Sequence, residues 1–161
     1  MKDGGLNREE DYGSKKKPYP FYQFLFKINY FPNKIQYAVM DILTIKATPK
    51  SLNVICENGL LEFRGCSITN DPKVFFKPIQ NWINNYLKDP PEDTLINMEF
   101  DYIDTASLKY VFEILKSLEK IIDRQKSVQL NWHYDETDHE ILELGEILSA
   151  KIKIPFNFIK Y

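Results

Sequence analysis

Two stretches of strict alternation limit the architecture of this chain more than any other feature. Ile96, Met98, Phe100 and Tyr102 alternate with Asn97, Glu99, Asp101 and Ile103. Val128, Leu130, Trp132 and Tyr134 alternate with Gln129, Asn131, His133 and Asp135. Successive strand side chains point to opposite faces, so each stretch reads as a strand with one apolar and one polar side. Between them a helical period runs from about Ala106, with Leu108, Val111, Phe112, Leu115, Leu118 and Ile122 on its apolar face. Strand, helix, strand implies a parallel pair joined by a crossover. A parallel sheet covered on both sides needs strands that are apolar on both sides. These are not, so helices are expected on one face only, with the other face open and polar.

The flanking segments extend the same design. Leu52, Val54 and Cys56 alternate up to Asn58-Gly59, and Leu61 and Phe63 alternate after it. Asn-Gly between alternating runs signals a hairpin, because both residues tolerate positive φ. A two-residue turn pairs Glu57 with Leu60 and sets Cys66 opposite Ser51, far from Cys56. The two cysteines are therefore expected to be free thiols in a reducing, cytoplasmic compartment. Asp71-Pro72 suits a helix start, followed by Phe75, Ile79, Trp82, Ile83 and Tyr86 at helical spacing. Thr137 to Glu140 fits a capping box for a third helix, with Ile141, Leu144 and Leu148 facing inward. Phe156 and Phe158 mark a last strand. The expected order is β-β-α-β-α-β-α-β, an α/β fold with a mixed, mostly parallel sheet. It resembles STAS-like domains, which are mostly protein-interaction modules.

Charge divides the chain. Of its 161 residues, 1–39 carry a formal +3 and nine of the 23 aromatics, whereas 40–161 carry −5. Met1 to Lys17 shows no apolar period, includes Lys15-Lys16-Lys17 and reads as disordered. Tyr19 to Phe31 is nearly all aromatic or aliphatic, and 1–39 as a whole reads as an extension outside a domain spanning 40–161. A signal peptide is disfavoured, since the apolar patch lacks a clean core and a small-residue cleavage site. The net −2 lacks the basic footprint of a nucleic-acid binder, and no apolar run reaches a membrane span.

Chemistry points to the junction Tyr102-Ile103-Asp104-Thr105-Ala106-Ser107. A hydroxyl there sits at a helix N-terminus, on the surface and near backbone N–H donors. Ordinary capping by Asp104 or Thr105 accounts for it. A phosphorylation site accounts for it too, because a phosphoryl group would change binding beside Asp101 and Asp104 without unfolding the domain. His133, Asp135, Asp138 and His139 could suggest a metal site or a small metal-dependent hydrolase. They leave one strand and enter one helix, however, and polar-face and helix-start roles suffice. Glu140, Glu143 and Glu146 read as a solvated helix face, and Trp82 and Trp132 as core. There is no phosphate-binding glycine loop and no nucleophile elbow.

Four stretches resemble the SiaC-type family of bacterial regulatory phosphoproteins. They are Thr48-Pro49 with Gly65-Cys66-Ser67 and Asn70-Asp71; Phe76-Lys77-Pro78-Ile79 running to Trp82; Ile103-Asp104-Thr105-Ala106-Ser107; and Trp132-His133-Tyr134-Asp135-Glu136 with Glu146 and Ile154-Pro155-Phe156. The resemblance implies a non-enzymatic switch protein without cofactor or metal. A dedicated protein kinase phosphorylates the threonine of the strand–helix segment, here Thr105, and a PP2C-type phosphatase reverses it. The unphosphorylated form binds and activates a diguanylate cyclase, raising cyclic-di-GMP. The chain departs from the family pattern at Asp104, Ala106 and His133. The expected contact surface comprises Asp101, Asp104, Thr105, Ser107 and Leu108, with no nucleic-acid or membrane partner. A STAS-type anti-anti-sigma factor, binding an anti-sigma kinase through the same phosphoswitch, is the alternative.

Overall fold

The computed structural model describes residues 41–161; the expectations for 1–39 lie outside them. Six strands form one sheet in chain order: β1 (Leu43–Ile45), β2 (Asn53–Glu57), β3 (Leu60–Ser67), β4 (Asp93–Ile103), β5 (Ser127–Tyr134) and β6 (Phe156–Lys160). The helices are α1 (Pro72–Tyr86), α2 (Thr105–Leu118), the single turn α3 (Lys120–Asp123) and α4 (His139–Ser149). β1 to β3 pair antiparallel, and β3 to β6 pair parallel. Each parallel connection steps one place the same way across the sheet. Right-handed crossovers then put α1, α2 and α4 on one face. The expected α/β order is present, with two additions: the short edge strand β1 and the separate turn α3. β1 has only three residues, too few to show a period.

The hairpin has the expected register, Glu57 opposite Leu60 and Cys56 opposite Leu61. Its turn differs from the expectation in one respect: Gly59 takes positive φ (+89°), whereas Asn58 does not. Cys56 and Cys66 are both free thiols. Burial pushes the Cys56 thiol up to about 12, which keeps it protonated and unreactive.

Beneath the helices, Leu61, Phe63, Ile96, Met98, Leu130 and Trp132 form a core with almost no exposure. Here Gly145 matters. A Cβ on it would lie 2.6 Å from Trp132 Nε1, so only glycine lets α4 approach β5 this closely. The Trp132 indole N–H donates to the Ile141 carbonyl at 3.0 Å, satisfying a buried donor. In α1 the buried phenylalanine is Phe76, stacked on Tyr110 with centroids 5.3 Å apart, while the expected Phe75 is only half-buried. α2 ends at Leu118, one turn earlier than its apolar period suggested. Ile121 on α3 then takes the core position, and Ile122 faces outward.

The opposite face is polar, as the alternation required. In-register pairing aligns Glu62, Asn97, Asn131 and Asn157 across four strands. Asn157 Nδ2 donates to Asn131 Oδ1 (3.2 Å), Asn131 Nδ2 to Asn97 Oδ1 (2.9 Å), and Asn97 Nδ2 to Glu62 Oε1 (3.5 Å). Arg64 closes the row on Glu62 at 3.3 Å. This ladder gives the face satisfied polar groups where a doubly covered sheet would carry apolar ones.

Candidate functional site

A β-bulge shapes the end of β4. Gly65 pairs with Phe100, but Cys66 pairs with Tyr102, leaving Asp101 as an extra residue. The bulge reverses the alternation beyond Phe100. Tyr102, expected inside, is 52% exposed, and Ile103 turns toward the helix side instead. On the partner strand Gly65 takes a φ of +99°, and an added Cβ would lie 3.8 Å from a carboxylate oxygen of Asp101.

The chain then turns into α2. The Asp104 N–H donates to the Ser67 carbonyl at 2.9 Å, fastening the junction to the end of β3. The Asp104 carboxylate accepts the Ser107 N–H at 2.7 Å, so Asp104 is the cap. Thr105 is the first helical residue, exposed, and its hydroxyl makes no hydrogen bond among the described residues. Capping therefore explains Asp104 and leaves Thr105 unexplained. Ser107 is fully buried, and its hydroxyl is unpartnered among the described residues, as is that of Ser67. A partner on this surface would meet Asp104, Thr105 and Leu108, whereas Ser107 points inward.

α4 completes the site. Its cap is Asp138, which accepts the Ile141 N–H at 3.0 Å, and not Thr137 as the capping-box pattern suggested. Thr137 is held instead by Asp135, whose carboxylate accepts both its N–H (2.7 Å) and its hydroxyl (2.6 Å). Those bonds lower the Asp135 pKa below the ordinary carboxylate value. Because β4 and β5 run parallel, the N-termini of α2 and α4 meet at the same end of the sheet. Between them lies a cleft of about 260 Å³, lined by Asp101, Tyr102, Ile103, Thr105 and Leu108 on one side. Asp138, Glu140, Ile141 and Leu144 line the other. The sequence reading missed this second wall. Parallel pairing of the two alternating strands was the signal that could have found it, since their helices must then start side by side.

Tyr161 reports the charge of this region. Burial raises its pKa, and so do the carboxylates of Glu99, Asp101, Asp135 and Asp138. The histidines do not converge with them. His133 lies on the polar sheet face beside Glu99 and Ile159, and His139 is exposed at the start of α4. Among the described residues no three His, Cys, Asp or Glu side chains are grouped to hold a metal ion. Among them, too, no helix is long and apolar enough to cross a membrane.

Comparison with known proteins agrees with this fold. A family model described as SiaC family regulatory phosphoprotein matches residues 44–161. The solved structure of SiaC from Pseudomonas aeruginosa superposes with a TM-score of 0.70 at 25% identity, covering 76% of this chain and all of that one. SiaC of the same organism, solved in complex with the diguanylate cyclase SiaD that it activates, gives a TM-score of 0.68 at 24% identity. That match covers 74% of this chain and 99% of that one and bears on the fold. An uncharacterized protein of Pseudomonas aeruginosa strain UCBPP-PA14 is 28% identical over 98 residues, which is 61% of this chain and 78% of that protein.

Proposed function

The chain belongs to the SiaC family of regulatory phosphoproteins, and we propose that Thr105 is its phosphoacceptor. Family membership makes it a regulatory protein and not an enzyme. The observation that carries the assignment is the division of labour at the start of α2. Asp104 performs the capping, and the adjoining Thr105 presents an exposed hydroxyl without an intramolecular partner among the described residues.

The proposed cycle uses a protein kinase to phosphorylate Thr105 and a PP2C-type phosphatase to remove the phosphate. The unphosphorylated domain, residues 40–161, docks on an effector through Asp101, Asp104, Thr105 and Leu108. A diguanylate cyclase is the proposed effector, because the related SiaC activates the cyclase SiaD. Phosphate adds about −1.5 to −2 charges in a cleft already holding Asp101 on one wall and Asp138 on the other. The fold tolerates the charge because Thr105 is exposed at a helix N-terminus. Binding changes, and the core does not.

Mass-spectrometric mapping of protein purified from its native host, before and after treatment with a PP2C-type phosphatase, tests the assignment. Phosphate is expected on Thr105, and the Thr105→Ala variant should carry none. Phosphate confined to Ser107, or absent under all growth conditions, would overturn it.

A further inference from the structure

The cleft beside Thr105 combines two features that together describe its occupant. Its floor is apolar, made by Ile103, Leu108, Ile141 and Leu144. Its rim is acidic, made by Asp101, Asp138 and Glu140. Among the described residues none of these three carboxylates is in an ion pair. The nearby Lys160 is engaged with Glu136 at 2.8 Å. Tyr102 lines the cleft and stands half-exposed, an aromatic ring that a cation could approach.

We propose that this cleft seats a segment of the partner protein in which an aliphatic or aromatic side chain is flanked by lysine or arginine. The inference deepens the Thr105 reading by naming the chemistry of the partner at the same surface. An acidic segment would face three carboxylates, none of them paired with a cationic side chain among the described residues. A second copy of this chain would bring the same acidic rim against its own. The apolar floor needs a side chain to cover it, and the rim selects the charge beside that side chain.

Phosphorylation then works against docking despite its favourable sign. A phosphate on Thr105 attracts lysine or arginine, but it also enters the cleft with its bound water. An apolar side chain cannot seat beside it without stripping that water, and the desolvation opposes entry. The attraction that a phosphate adds is one further exposed charge pair, which gives back less than that desolvation costs.

The test selects binders from a library of random peptides displayed on phage, using the full-length unphosphorylated protein as bait. Asp101→Asn/Asp138→Asn/Glu140→Gln is the counter-bait; asparagine at 138 retains the cap. A circular dichroism melt checks its fold, and Asp101→Asn/Glu140→Gln substitutes if the triple variant is unfolded. Selected peptides should place Lys or Arg within a few positions of an aliphatic or aromatic residue. Their affinity should fall about tenfold or more on the counter-bait and weaken steeply with salt. Acidic or uncharged selected sequences, no enrichment, or equal binding to the counter-bait would overturn the proposal. Phosphosite mapping at Thr105 is a separate readout, so either reading can fail while the other stands.

Discussion

Among the described residues, the three long helices begin on an aspartate whose carboxylate accepts the amide three residues on. The distances are 3.1 Å at Asp71, 2.7 Å at Asp104 and 3.0 Å at Asp138. The first helical residue after each cap is different. At α1 it is Pro72, which has no N–H to leave unsatisfied. At α4 it is His139, and at α2 it is Thr105. The helices of the cleft, α2 and α4, also differ in how firmly they are held. α4 is pressed against β5 through Gly145 and Trp132. α2 leaves a bulged strand with its first side chain turned outward. One wall of the cleft is set by close packing, while the other carries the chemical handle.

The largest effect is expected from breaking the packed wall. Gly145→Ala puts a methyl group into the Trp132 indole, and overpacking of this kind costs about 1–3 kcal/mol. Urea denaturation should show that loss as a lowered midpoint. A fully stable Gly145→Ala protein would mean that α4 can move off β5, and the contrast between the two walls would disappear.

Capping comes next. Asp104→Ala and Asp138→Ala should each cost about 1 kcal/mol, whereas Asp104→Asn should cost much less. Were Thr105 the true cap, Asp104→Ala would be nearly silent in the same denaturation experiment. Thr105→Ala is expected to change stability by less than about 0.5 kcal/mol while abolishing phosphate incorporation. A large stability loss in that variant would return Thr105 to an ordinary structural role.

The comparison of walls also explains what could be read from the residues alone. Alternation in β4 and β5 determined the face of nearly every side chain through Phe100 and Trp132, because one buried face leaves no freedom of register. Asn58-Gly59 gave the hairpin pairing through the length of its turn. Tyr102 was misplaced because a bulge is a relation between two strands, and its effect on Asp101 is invisible along one of them. The cap of α4 was misassigned because Thr137 and Asp138 are both good capping residues; Asp135 decided the matter by taking Thr137 for itself. Thr105 was legible as a surface hydroxyl at a helix start. Its opposing wall was not, since Glu140, Ile141 and Leu144 reach it only through the parallel pairing of β4 with β5.

The smallest effect is the most direct measure of charge at this rim. Tyr161 is raised by burial and then by Glu99, Asp101, Asp135 and Asp138. Negative neighbours disfavour the phenolate, so removing one should lower the titration midpoint. Asp101→Asn should therefore bring the Tyr161 phenol down toward its ordinary value, read from its ring carbon shift in an NMR pH titration. Added salt should do the same by screening. A phosphate on Thr105 should act in the opposite direction, because it joins Asp101 and Asp138 in one cleft. If Asp101→Asn left the phenol unmoved, the Asp101 charge would not act on Tyr161, and α2 and α4 would share a cleft without sharing a field. If phosphorylation raised it while Thr105→Ala did not, Tyr161 would register the added charge from across the site.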